Sequence, residues 1–154
     1  MTRNMLILLA SGGSFALLAG AFLFQAAGYA PCEICLWQRW PHAAAIVIGV
    51  LAFALAGGAR LLAWLGALAA AITAALGLYH TGIERDWWQG PASCTGGGGL
   101  SGLSGADLLA TDIAPVVMCD EAALLILGLS MASWNFLASG ALALIWVLAA
   151  RRAA

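Results

Sequence analysis

Four stretches of this chain run for 17 to 20 residues without a charged side chain, and few folds can take up such runs. In hydrocarbon every backbone N–H and C=O must be satisfied within its own segment, so a run of about 20 apolar residues forms a helix and crosses the bilayer. The expected spans are residues 5–24 (MLILLASGGSFALLAGAFLF), 43–59, 61–80 and 132–150. The rest of the chain agrees. It has 154 residues, 64% of them hydrophobic and 8% charged, with a mean hydropathy of +0.98, far from a soluble domain. The expected fold class is an all-α integral membrane protein: one domain over 1–154, a four-transmembrane-helix bundle with loops at about 25–42 and 81–131. The absence of Lys and the net charge of −1 give no basic surface for nucleic acid, so no nucleic-acid partner is expected.

Charge placement sets the expected orientation, because cytoplasmic segments retain Lys and Arg. Arg3 precedes the first span, Arg60 separates the second from the third, and Arg151 and Arg152 follow the fourth. The other side holds Arg39, Arg85 and every acid, from Glu33 to Glu121. Both termini are therefore expected in the cytoplasm. The first run could pass for a signal peptide, but it exceeds the usual apolar core of about 7–15 residues, and cleavage would put Arg60 on the wrong side. It is read as a span. Small residues at four-residue spacing, Gly12, Ala16 and Gly20 and again Ala67, Ala71 and Ala75, suggest faces where helix backbones approach closely.

All four cysteines fall in the two outer loops, in a disulfide-permissive compartment such as a bacterial periplasm. Cys32 and Cys35 form a C-x-x-C beside Trp37 and Trp40, aromatic residues suited to the bilayer surface. Span two starts soon after, so its positive dipole end and Arg39 both favour a thiolate there. Arg39 shares a face with Cys35 only if the helix already begins at the cysteines, and Pro41 suggests a later first turn. Glu33, between the cysteines, opposes the thiolate. Cys94 and Cys119 lie in the long second loop, 25 positions apart. Between them, 95–105 (TGGGGLSGLSG) reads as a flexible tether, and the segment from Gly105 toward Pro115 as a short interfacial helix. The charge-free run 122–150 is about 29 residues, about 43 Å as helix, too long for one upright span. It divides into an interfacial segment over 122–131, broken near Gly128 or Ser130, and the fourth span, unless it is one long tilted helix. From the residues alone three readings stay open: disulfide-based electron transfer, structural disulfides, and a zinc site using all four cysteines.

The run Cys32-Glu33-Ile34-Cys35-Leu36-Trp37-Gln38-Arg39, the Tyr79-His80-Thr81-Gly82-Ile83-Glu84 closing span three, Cys94, and the stretch from Cys119 into LLILGLSMASWN resemble the DsbB family of bacterial disulfide bond formation proteins. The resemblance covers nearly the whole chain. It implies an inner-membrane protein-disulfide oxidase that reoxidises a periplasmic DsbA-like thiol oxidase and passes electrons to ubiquinone or menaquinone. By the same resemblance the catalytic residues are Cys32, Cys35, Cys94 and Cys119, with no metal. Cys94 and Cys119 would form the disulfide a reduced partner attacks, Cys94 taking the mixed disulfide. Cys119 would then link to Cys32, leaving Cys35 as the thiolate against the quinone. Arg39 and His80, with Cys35, would bind the quinone. His42 reads as interfacial, and Glu84 and Trp134 as helix-end packing. The non-catalytic alternative is a membrane module with structural disulfides or the four-cysteine zinc site.

Overall fold

In the computed structural model, residues 1–55, 59–91, 94 and 117–152 are described. Among them four helices are long and apolar enough to cross a membrane: α1 (Arg3–Ala26), α2 (Glu33–Ala54), α3 (Ala59–Glu84) and α4 (Met131–Arg151). The chain is an all-helical, four-span membrane bundle. Its α3 packs along α4 and α2, and α1 closes the ring against those same two, while α1 and α3 barely meet. The cyclic order is therefore α1-α2-α3-α4. Arg3, Arg60 and Arg151 mark one end; the cysteines occupy the other.

Helix α2 begins ten residues before the expected start of its span at residue 43. Cys32 caps it, its Sγ accepting from Cys35 N–H, and Glu33 supplies an acid to the first turn, where it complements the dipole. Ile34, Gln38, His42, Ala45, Gly49 and Ala52 then form one buried stripe at helical spacing. That stripe runs straight through Pro41, which lies inside the helix. A proline costs about 3 kcal/mol in a helix interior, yet tertiary burial carries α2 past it.

The small-residue ladders are corrected as well. On α3 the buried face is Ala63, Gly66, Ala67, Ala70, Thr73, Ala74, Gly77 and Thr81, whereas Ala71 and Ala75 are exposed. With 3.6 residues per turn a strict four-residue ladder drifts around the helix; an alternation of three and four stays on one face. Two glycines of this face show how close the approach is. A Cβ at Gly77 would lie 2.8 Å from the Phe136 backbone nitrogen of α4. One at Gly66 would lie 2.6 Å from the ring of the fully buried Trp146.

Near the arginine end, Leu6, Ile7, Ala52, Ala63, Ala67, Leu142 and Trp146 belong to one apolar cluster. Toward the other end, the expected interfacial segment 122–131 contains an antiparallel hairpin, β1 (Leu125–Ile126) and β2 (Leu129–Ser130), with Leu125 opposite Ser130. The long tilted helix is thereby excluded. Leu127 (φ 52°) and Gly128 (φ 79°) form its turn, the left-handed pair that a two-residue hairpin requires. Ser130 then caps α4, its Oγ accepting from Ser133 N–H at 3.1 Å. The expected tether at 95–105 and the short helix before Pro115 lie outside the described residues.

Candidate active site

All four cysteines meet in one apolar cluster with Ile34 and Ile83, flanked by Tyr79 and Val117. Cys94 and Cys119 form a disulfide with their Cα atoms 5.1 Å apart, and Cys119 N–H donates to the Cys94 carbonyl at 2.7 Å. This uses two of the sulfurs a four-cysteine zinc site would need. Both residues are buried, at 1% and 0% exposure, where the sequence suggested an accessible loop pair. Val117 and Ile83 pack around them, so the second loop folds back onto the bundle here.

Cys32 and Cys35 are free thiols with sulfurs 2.8 Å apart, Cys32 donating. That hydrogen bond, with burial added, raises the Cys32 thiol above the usual thiol range. In the reduced pair the proton therefore stays on Cys32, and electron density concentrates on the sulfur that accepts it, Cys35. The main chain works against this asymmetry, since Cys35 N–H donates to Cys32 Sγ at 3.2 Å, but the sulfur–sulfur bond and burial outweigh it. Glu33 is exposed while its neighbours Cys32 and Ile34 are buried; the helix turns the acid outward from the sulfurs.

His80, near the end of α3, lies against both thiols. Its Nε2 lies 3.6 Å from Cys32 Sγ and 3.9 Å from Glu84 Oε1, and its Nδ1 lies 4.0 Å from Cys35 Sγ. The ring also meets the Cys119 main chain. The ring orientation comes from residues the sequence reading passed over. Asn135 Nδ2 donates to Gln38 Oε1 at 2.5 Å, which turns the Gln38 amide nitrogen toward His80 Nδ1 at 3.1 Å. Asn135 also bonds Thr73 Oγ1 at 3.2 Å. Its Oδ1 accepts from Ser139 Oγ at 3.0 Å and faces His42 Nε2 at 2.9 Å. His42 is thus a buried member of the network, where an interfacial residue was expected. The only sequence signal was the appearance of Gln, His, Thr, Asn and Ser inside apolar runs, where an uncompensated polar group is costly. Glu84 accepts from Ser130 Oγ, tying the end of α3 to the start of α4.

Beside this network lies a cavity of about 250 Å³. Ala16, Leu17, Gly20 and Phe24 of α1 line one side, Ile126, Met131 and Trp134 another, and Cys35, Gln38, Arg39 and His80 supply its polar groups. Two members of the first expected ladder, Ala16 and Gly20, line this cavity, and a Cβ at Gly20 would meet nothing within 4 Å. Cys35 and Arg39 share the face, because α2 has already begun at Glu33. Arg39 Nη1 donates to Gln25 Oε1 at 2.7 Å and the guanidinium sits 4.6 Å over the Phe22 ring. Its Nε is buried without a hydrogen-bond partner. Trp134 donates to the Ile126 carbonyl at 2.9 Å, which fixes the hairpin against the cavity.

The family model described as Disulfide bond formation protein DsbB matches residues 3–149. No curated protein and no solved structure matches the chain.

Proposed function

The chain belongs to the DsbB family, thiol oxidoreductases of disulfide bond formation, and from that premise we propose that it reoxidises a DsbA-like dithiol partner and delivers the electrons to a membrane quinone. The observation that carries this reading is the division of the C-x-x-C: Cys35 lines an apolar cavity beside Arg39, while Cys32 is buried in the cluster that holds Cys94 and Cys119. In this reading the four helices sit in a bacterial inner membrane with both termini cytoplasmic and the cysteine end periplasmic.

The cavity suits the quinone. Its walls are apolar, its volume of about 250 Å³ takes a flat ring, and the buried, unpartnered Arg39 Nε offers a donor for a carbonyl oxygen. Ubiquinone and menaquinone both meet these terms. When bound, the quinone supplies a two-electron, two-proton sink.

The sulfur steps follow from thiolate attack on a disulfide. With Cys32 and Cys35 oxidised, a partner thiolate attacks Cys94 and Cys119 leaves as thiolate. Cys119 attacks Cys32, forming an S–S bond between the loops, and Cys35 leaves. The partner's second thiol displaces Cys94, so the partner departs as a disulfide. Cys94 then attacks Cys119, restoring the loop disulfide and leaving Cys32 and Cys35 reduced, the arrangement of the present structure. Two electrons and two protons have moved from the partner to the C-x-x-C pair. Burial of Cys94 adds a requirement: the partner must lift the loop before attack. Arg39, Cys35 and His80 hold the acceptor end of the relay, Cys94 and Cys119 the donor end.

The test is purified protein with reduced partner and either quinone, where partner disulfide and quinol should form one to one. No transfer with a competent partner and quinone would overturn the reading. Cys119→Ser should accumulate a covalent partner complex and Cys94→Ser none; equal trapping would overturn the assigned order.

A further inference from the structure

We propose that the reduced Cys32–Cys35 pair and His80 form a binding site for one Zn²⁺-class cation, a redox-gated site distinct from the four-cysteine zinc site considered from the sequence. Cys32, Cys35 and His80 bring two sulfurs and an imidazole nitrogen within 4.8 Å of one another. Tetrahedral zinc with Zn–S of about 2.3 Å and Zn–N of about 2.0–2.1 Å needs a sulfur-to-nitrogen edge of about 3.6 Å. Cys32 Sγ and His80 Nε2 already stand 3.6 Å apart. The two sulfurs, at 2.8 Å, must open to about 3.8 Å. Side-chain rotation at Cys32, whose backbone is extended ahead of the helix, provides that movement.

Charge favours the complex at this depth. Two thiolates and a neutral imidazole cancel a divalent cation, so the assembled site is neutral, whereas an isolated buried thiolate or cation would bear a large desolvation cost. The surrounding hydrogen bonds can accommodate it too. A histidine metallated at Nε2 carries its proton on Nδ1 and donates it to a neighbour. Gln38 is that neighbour, at 3.1 Å. A half-turn of its amide presents the oxygen, and a matching half-turn of Asn135 presents its nitrogen to His42 Nε2 and Ser139 Oγ, which can both accept. Thr73 Oγ1, 3.2 Å from the Asn135 amide, then turns its proton from the Gln38 carbonyl to the Asn135 oxygen. Cys35 and His80 also border the cavity, leaving the fourth position open to water, as in exchangeable three-ligand zinc sites.

Binding takes up both sulfurs as thiolates and releases the protons they carried, that of Cys32 among them. Closing the Cys32–Cys35 disulfide removes both thiolates and expels the cation. Zinc therefore caps the dithiol and opposes its oxidation. Neither partner nor quinone enters this claim, so its failure and that of the proposed function are separable.

The experiment uses the full chain in detergent carrying Cys94→Ser and Cys119→Ser, reduced and then freed of reductant, titrated with Zn²⁺ against a chromophoric chelator. One zinc per chain is expected when the pair is reduced and none when it is oxidised, and Co²⁺ should give thiolate charge-transfer absorption. Gln38→Leu should weaken binding about 10- to 100-fold, and His80→Gln, which removes a ligand, by more than that. X-ray absorption on the zinc-loaded chain with all its cysteines, the loop disulfide closed, needs no variant. It should read two sulfurs at about 2.3 Å and one imidazole nitrogen at about 2.0 Å. Equal affinity in both redox states, indifference to His80→Gln, or a coordination sphere without two sulfurs would each overturn the proposal.

Discussion

The two ends of the bundle interior are built on opposite rules. Near the arginines, the buried side chains are Leu6, Ile7, Ala63, Ala67, Ala70, Leu142 and Trp146, and small residues let the helices close around one indole. At the cysteine end the helices enclose Gln38, His42, Thr73, His80, Thr81, Ser133 and Ser139, joined by hydrogen bonds across α2, α3 and α4. Helices in lipid gain little from the hydrophobic effect between themselves, so close packing and interhelical hydrogen bonds must hold them. This bundle uses the first at one end and the second at the other. Only the polar end can also orient a reacting group.

If that division is right, substitutions should separate into those that harm chemistry and those that harm stability. The largest effect is expected for Cys35→Ser, which should reduce oxidase turnover to background while leaving thermal unfolding in detergent nearly unchanged; residual turnover above the no-enzyme rate would contradict it. Next is Asn135→Leu, which releases Gln38 and with it the His80 ring. Losing a supporting hydrogen bond worth about 1 kcal/mol should lower turnover by about five- to tenfold. Alkylation kinetics of the free pair provide a second readout, expected to lose the preference for Cys35 over the buried Cys32. A thermal shift with unaltered turnover and alkylation would make Asn135 merely structural.

The apolar end should answer the other way. Gly66→Ala forces a methyl into the space 2.6 Å from the Trp146 ring, an overpacking worth about 1–3 kcal/mol. The expected result is a lower unfolding midpoint with the partner exchange rate intact in the folded fraction. The smallest effect is expected at Leu127, 89% exposed with φ 52°. Leu127→Gly relieves a left-handed backbone strain of roughly 1–2 kcal/mol. It should raise the midpoint slightly without changing turnover, and a fall in stability would show that the exposed leucine contributes an apolar contact of its own.

The two ends were unequally legible in the sequence. Four charge-free runs could become only four helices, and the cysteines stood out because so little else in the loops was reactive. The start of α2 was not legible: Pro41 is a local breaker, and only the buried stripe from Ile34 to Ala52 shows why the helix runs through it. The four-residue ladders misled for a related reason, because spacing does not identify which face meets a neighbour. Ala71 and Ala75 face outward, while Ala16 and Gly20 open a cavity. Gln38 and Asn135 were invisible as a pair, being 97 positions apart on different helices.

The sequence by itself determined the membrane, the number of crossings, the gathering of every acid on one side, and the four sulfurs, since all of these follow from chain-local hydropathy and residue type. Tertiary structure alone decided that both cysteine pairs share one buried cluster, that Cys35 borders the cavity, and that His80 is held by a chain of amides reaching into α4. Those are distances between segments remote along the chain, and they depend on how the small faces of α2, α3 and α4 set the helices against one another.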